Sequence, residues 1–169
     1  MKAAVIHAYG GPEVLKYEDY PDPTPGSGEV LVRVAASSIN PIDLKNRSGA
    51  VKEFFPVAFP GILGLDVSGI VEAVGSGVET FVPGDKVFGH ATQTYASFCV
   101  VKASELAGIP TGMDPGDAAA LPTVTMTGAQ LAELALDGTQ GRTVLVTGAV
   151  GNVGRRALPK AFFWPEMQQ

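Results

Sequence analysis

The chain has 169 residues, 46% of them apolar and 17% charged, with a formal net charge of −5. That length suits one domain, or one domain and part of another, with enough apolar content for a real core. The acidic balance argues against nucleic acid or an anionic membrane as partner, no apolar run nears the ~18 residues of a spanning helix, and the single cysteine, Cys99, excludes both an internal disulfide and a four-cysteine zinc site.

The opening residues 1–7 are too short an apolar stretch for a signal peptide, so the cytosol is the expected compartment. From there to about residue 101 the pattern is one of short strands with frequent breakers. Residues 3–8 read as a strand ended by Gly10-Gly11-Pro12, and residues 14–20 alternate as an antiparallel partner would. The proline-rich run over residues 21–28 is an irregular loop, because proline fixes φ and removes a donor. Residues 29–35 alternate again, with Val30, Val32 and Val34 on one face and Leu31 and Arg33 on the other. After Asn40-Pro41 comes a short helix over residues 42–47, with proline at its start and Gly49 past its end. Asp43 and Arg47 are four apart on it and are spaced for an ion pair.

Residues 67–74 form a further strand, followed by turns at Gly75-Ser76-Gly77 and Pro83-Gly84-Asp85, the second leading into Lys86-Val87-Phe88. Cys99 falls in a strand-like run over residues 95–101, where a small buried residue is the ordinary expectation. Strands of this length, broken every ~8–12 residues, suggest a partly open β-barrel. Near Thr111 the character changes, and residues 113–121 and 127–136 read as two helices.

Residues 143–147 are a β-branched apolar run that leads into Gly148, Gly151 and Gly154. Such a run and triplet mark where a buried parallel strand turns into a helix that cradles a phosphate. The turn needs glycine because the backbone must bend tightly and approach a pyrophosphate with no Cβ in the way. The helix that follows offers free N–H groups and the positive end of its dipole.

This order of elements carries several family motifs: Met1-Lys2-Ala3, Ser38-Ile39-Asn40-Pro41-Ile42-Asp43-Leu44-Lys45-Asn46-Arg47-Ser48-Gly49 and Gly64-Leu65-Asp66-Val67-Ser68-Gly69. Pro83-Gly84-Asp85-Lys86-Val87, Ala119-Ala120-Leu121-Pro122 and the closing glycine turn complete the set. Together they resemble the zinc-independent quinone oxidoreductase branch of the medium-chain dehydrogenase/reductase superfamily. The resemblance implies a mostly β fold with short helices: a GroES-like, partly open β-barrel over residues 1–120. A connecting helix and the first strand and glycine turn of an incomplete Rossmann α/β domain follow over residues 121–158, then a divergent tail over residues 159–169. Zinc-dependent relatives carry cysteine where this chain has Asn40 and a His-Glu pair where it has Leu65-Asp66, so no zinc is expected.

The resemblance further implies hydride transfer from NADP(H) to a quinone or enone, with Asn40, Asp43 and Asp66 as the candidate catalytic group. The Asn40 amide would donate to a substrate oxygen that gains negative charge. Ordinary roles compete at each position: turn chemistry for Asn40, structure for Asp43, and a carboxylate satisfied by backbone donors for Asp66. Thr127 matches a threonine near the nicotinamide or serves as a helix N-cap. Gly148, Gly151, Asn152, Val153 and Gly154 would line the pyrophosphate.

The match then fades after about residue 158. Pro159 stands inside the helix after the glycine turn and should break it, at a cost of ~3 kcal/mol or more. Glu166 stands near the position of a ribose-reading acid, but no strand leads to it. Phe162, Phe163 and Trp164 form an aromatic cluster with no assigned burial. The chain by itself is therefore expected to be inactive. The alternative is a non-catalytic interaction module that forms a homo-oligomer or pairs with a full-length relative, competing for dimerisation.

Overall fold

A computed structural model describes residues 1–136 and 145–163, with side chains through residue 135 and over residues 145–157. They form two compact units, Met1–Pro122 and Thr123–Gln169.

In the first unit, β1 (Lys2–Ile6) pairs antiparallel with β2 (Lys16–Asp19), and with β4 (Gly61–Ile62) on its other side. A second sheet runs in the order β7 (Phe98–Lys102), β3 (Glu29–Ala36), β5 (Asp66–Val74), β6 (Lys86–His90) and β8 (Leu106–Gly108), again antiparallel throughout. Neither sheet closes on itself, so the expected partly open barrel is realised as two open sheets. The bridge between Ala3 and Ala96, with Ala4 donating to the Tyr95 carbonyl at 2.8 Å, joins the first sheet to the approach to β7. Two short strands, β4 and β8, carry no alternation long enough to be read from sequence.

The period-2 pattern decides which side chains are buried. Val30 and Val32 of β3, Val67 and Val71 of β5 and Val87 of β6 are all at most 1% exposed and share one core with Cys99 and Val101. Each such valine contributes ~1.5 kcal/mol or more. Arg33 stands on the opposite, solvent face, where its Nε donates to Glu72 at 3.2 Å. A smaller cluster of Ala3, Val5 and Ile62 serves the first sheet. Burial raises the Cys99 thiol pKa from 9.0 to about 12, as the strand reading of that residue implies.

Helix α1 (Pro41–Ser48) starts with proline and ends at Gly49, which takes left-handed geometry. The spacing-based Asp43–Arg47 ion pair does not form. Asp43 turns inward, while Arg47 donates through Nε to the Gly10 carbonyl at 3.4 Å and accepts from the Gly10 N–H at 3.0 Å through its own carbonyl. Helix α2 (Pro115–Ala119) is capped by Asp114, which accepts from Gly116 at 2.7 Å.

In the second unit, α3 (Pro122–Leu136) begins five residues before the expected start at Thr127, since Pro122 can open a helix. Helix α4 (Asn152–Phe163) follows the glycine turn and runs through Pro159, against the expected break. Proline there removes only the bond to the Arg155 carbonyl, and the flanking turns carry the helix past it. The expected strand over residues 143–147 lies partly outside the described residues. Leu145 and Val146, which are described, are not in a strand, and Leu145 is 87% exposed. A strand needs a hydrogen-bonded neighbour, and none is present among the described residues of this unit. Trp164 and Glu166, and the side chains of Phe162 and Phe163, also lie outside the described residues.

Candidate functional site

The end of β3, the start of α1 and the start of β5 meet in a buried polar cluster. Asp66 is 1% exposed, and its Oδ2 accepts from the Ser38 hydroxyl at 2.5 Å and from the Asn40 amide at 2.9 Å. The same amide donates to Ser38 Oγ at 3.1 Å. The two acceptors are 2.5 Å from each other, too close to be met by two diverging N–H bonds of one carboxamide, so a single N–H is shared between them. Asp43, 3% exposed, accepts the Asn40 backbone N–H through Oδ2 at 2.8 Å. Asn40, Asp43 and Asp66 are thus brought together, with Asn40 between the two carboxylates. Each hydrogen bond to a charged group is worth ~1.5–3 kcal/mol net, which offsets the cost of burying the carboxylate. Side-chain donors from Ser38 and Asn40 both meet Asp66 Oδ2.

Sequence reasoning missed the supporting residues. Ser37 Oγ donates to the Asp66 carbonyl at 2.7 Å and lies 2.8 Å from Thr94 Oγ1, while Thr94 is 1% exposed. The Tyr95 hydroxyl donates to the Ser38 carbonyl at 3.2 Å. Burial, then the nearby Asp43 and Asp66 carboxylates, push its pKa well above the usual phenol value. Tyr95 therefore stays protonated through the physiological range. Only Ser37-Ser38, polar residues at the end of an alternating strand, offered a signal for this shell.

Gly64 explains how the loop before β5 comes so close. Its φ is +100°, and a Cβ there would lie 2.2 Å from Thr94 Oγ1 and 2.7 Å from the Tyr95 ring. This loop walls a cleft of about 450 Å³, lined among others by Asp43, Asn46, Val57, Ile62, Leu63 and Leu65. The cleft is apolar over much of its wall and polar along α1. Among the described residues, no group of three His, Cys, Asp or Glu side chains is placed to hold a metal ion.

The cofactor candidates lie in the second unit. Thr127 sits inside α3 and not at its start, and its hydroxyl donates to the Thr123 carbonyl at 2.7 Å, one turn back. The N-cap alternative for it is therefore replaced by a back-bond within the helix. Gly148 has φ +66°, Gly151 donates to the Gly148 carbonyl at 2.9 Å, and Asn152 and Val153 open α4. A Cβ on Gly154 would stand 2.2 Å from the Gly148 carbonyl oxygen, so the helix can approach the turn only as glycine. Gly148 to Gly154 form one continuous turn that leads into α4.

The alcohol dehydrogenase GroES-like domain model matches residues 26–148. A quinone-oxidoreductase homolog of the chloroplast from Spinacia oleracea is 35% identical over 95% of this chain and 54% of its own length. Among solved structures, a mycobacterial protein complexed with NADPH aligns with a TM-score of 0.80 and 36% identity, over 92% of this chain and 48% of that one. The quinone oxidoreductase from Coxiella burnetii aligns with a TM-score of 0.79 and 34% identity, over 96% and 53%. The chain spans about half the length of the curated relatives it matches.

Proposed function

This chain belongs to the alcohol dehydrogenase GroES-like domain family, among the quinone oxidoreductases of the medium-chain dehydrogenase/reductase superfamily, and from that premise we propose that it is the substrate-holding part of a metal-independent, NADP(H)-dependent reductase of quinones or conjugated enones. The observation that carries this reading is the cleft of about 450 Å³ whose lining includes Asp43, which accepts the Asn40 N–H, and Leu65, the residue before Asp66. Its wall of Val57, Ile62, Leu63 and Leu65 suits a flat apolar ring.

The residues take distinct roles. Asp66 and Ser38 hold the Asn40 amide in place. The other N–H of the amide is the one a substrate carbonyl oxygen would receive. Asp43 fixes the start of α1, and Tyr95 remains a protonated hydroxyl beside the cluster. The Gly148–Gly151–Gly154 turn, with the N–H groups of Asn152 and Val153 and the Thr127 side chain, would hold NADP(H). When bound, the reduced nicotinamide supplies the hydride. Leu65 and Asn40 stand where zinc-dependent relatives carry ligands, which supports chemistry without metal.

Holding two reactants in register is worth ~7–11 kcal/mol of a barrier, and that requires a rigid nucleotide site. A dinucleotide site lies across the carboxyl ends of several parallel strands. The second unit offers one glycine turn, with no strand beside it among the described residues. We therefore assign the purified polypeptide a competent substrate cleft and no turnover of its own. A cytosolic location belongs to the same proposal. No described helix is long and apolar enough to cross a membrane, while the Spinacia oleracea relative is named chloroplastic.

A second reading, a non-catalytic module that pairs with a copy of itself or with a full-length relative, is favoured by one feature. Leu131, Leu134, Leu145 and Val150 of the second unit are all more than half exposed. Titrating a quinone into the isotope-labelled chain tests the first reading. Saturable shifts confined to α1 and residues 61–65 support it, and a sedimentation profile that stays dimeric with no such shifts supports the module.

A further inference from the structure

One residue on the wall of the cleft adopts a backbone that its type disfavours. Gln93, at φ +62°, is the only non-glycine residue with positive φ among the described residues. That region is costly for a residue with a Cβ and open to glycine. Backbone hydrogen bonds on either side enforce the bend. Ala91 donates to the Leu65 carbonyl at 2.7 Å, and Tyr95 donates to the Leu63 carbonyl at 3.0 Å. They bracket Gln93 and clamp its segment to the loop that walls the cleft.

The bend also decides which side chains stay accessible. Ala91 is 7% and Thr94 1% exposed, while Thr92 and Gln93 between them are both exposed and both line the cleft. Strict strand alternation would have turned those two to opposite sides. Of the other polar side chains on the lining, Asp43 is buried and Asn46 half-buried. The Tyr20 hydroxyl already donates to the Pro60 carbonyl at 3.2 Å. Neither Thr92 nor Gln93 is hydrogen-bonded through its side chain to a described residue. A free carboxamide thus stands at an apolar wall, on a bend that glycine would make more easily.

Resting on the quinone- and enone-reductase reading of this cleft, we propose that Gln93 is a specificity-determining residue that donates its amide N–H to a carbonyl oxygen of the bound ring. The ligand class is a neutral ring bearing carbonyl oxygens, with its apolar face against Ile62 and Leu63. A glutamine at a position where glycine would relieve the backbone is then explained by what it binds.

Tetramethyl-1,4-benzoquinone, which has no free ring position for thiol or amine addition, is titrated into the isotope-labelled 169-residue chain and two variants. Backbone shifts of residues 61–65 and 91–95 report binding, and urea unfolding reports stability. Gln93→Leu keeps the bulk of the side chain and removes the amide. It should weaken binding by roughly three- to tenfold, the range of one neutral hydrogen bond. Gln93→Gly should weaken binding at least as much, with an unfolding midpoint no lower than that of the wild type, because the bend suits glycine. It keeps the test alive if Gln93→Leu does not fold.

Wild-type affinity in Gln93→Leu overturns the inference, since the amide is then idle, and leaves the quinone-site reading standing. A Gln93→Gly chain that binds less tightly and also unfolds at lower urea overturns it too, because the residue then serves the bend. No binding of the quinone by the wild type overturns the inference and the quinone-site reading together.

Discussion

The two units of this molecule illustrate opposite outcomes of similar sequence patterning. In the first, alternating strands find neighbours, and five valines of β3, β5 and β6 reach at most 1% exposure. In the second, a helix rich in leucine and a glycine turn adopt family geometry locally, but Ala132 is the only buried apolar side chain among its described residues. Leu134 is 80% and Val150 82% exposed. Local propensity is enough to form a helix or a turn; only tertiary burial stabilises one. The first unit therefore holds its buried polar cluster between paired strands, while no strand lies beside the glycine turn of the second among the described residues.

Hydrogen exchange should expose the contrast most strongly. Amides of β3 and β5 should exchange only through global unfolding, and those of α3 and α4 at least about a thousandfold faster. Equal protection in both units would break the comparison. Asp66→Ala leaves the Asn40 amide and Ser38 hydroxyl without their acceptor, and should lower the unfolding free energy by about 3–5 kcal/mol in urea. Val67→Ala, in the core of the first unit, should cost about 2–3 kcal/mol by the same measurement. Leu134→Ala, in the second, should stay within about 0.5 kcal/mol.

A pH series sharpens the picture of the first core. The Cys99 thiol is raised from 9.0 to about 12, so the folded state keeps a proton that the unfolded chain loses. Its contribution is fully present below about pH 9 and is lost as pH climbs through 12. A Cys99→Val variant should unfold with a shallower alkaline decline, and wild-type Cys99 should resist thiol reagents at pH 8 in the folded state.

Much of the first unit was legible because its strands alternate. β1, β2, β3, β5, β6 and β7 each fall on an anticipated run, with ends that differ by no more than three residues. β4 and β8 were hidden, because two or three residues carry no period. The candidate residues Asn40, Asp43 and Asp66 could be named from motifs, but not their mutual bonds, which join residues 26 apart through side chains. The Asp43–Arg47 pair looked sound on helical spacing and failed, because burial of Asp43 at the Asn40 N–H outweighs an exposed ion pair worth only tenths of a kcal/mol. Pro159 misled in the other direction. A proline rule based on one lost bond does not end a helix whose other bonds persist.

The central claim is that the first unit holds a substrate cleft while a lone glycine turn cannot grip the nucleotide. Its most direct test is NADPH fluorescence titration of the purified 169-residue chain, followed by quinone addition under the same conditions. The account predicts no saturable micromolar binding and no consumption of NADPH. Micromolar saturation, with quinone-dependent loss of NADPH and no longer partner chain in the sample, would contradict it.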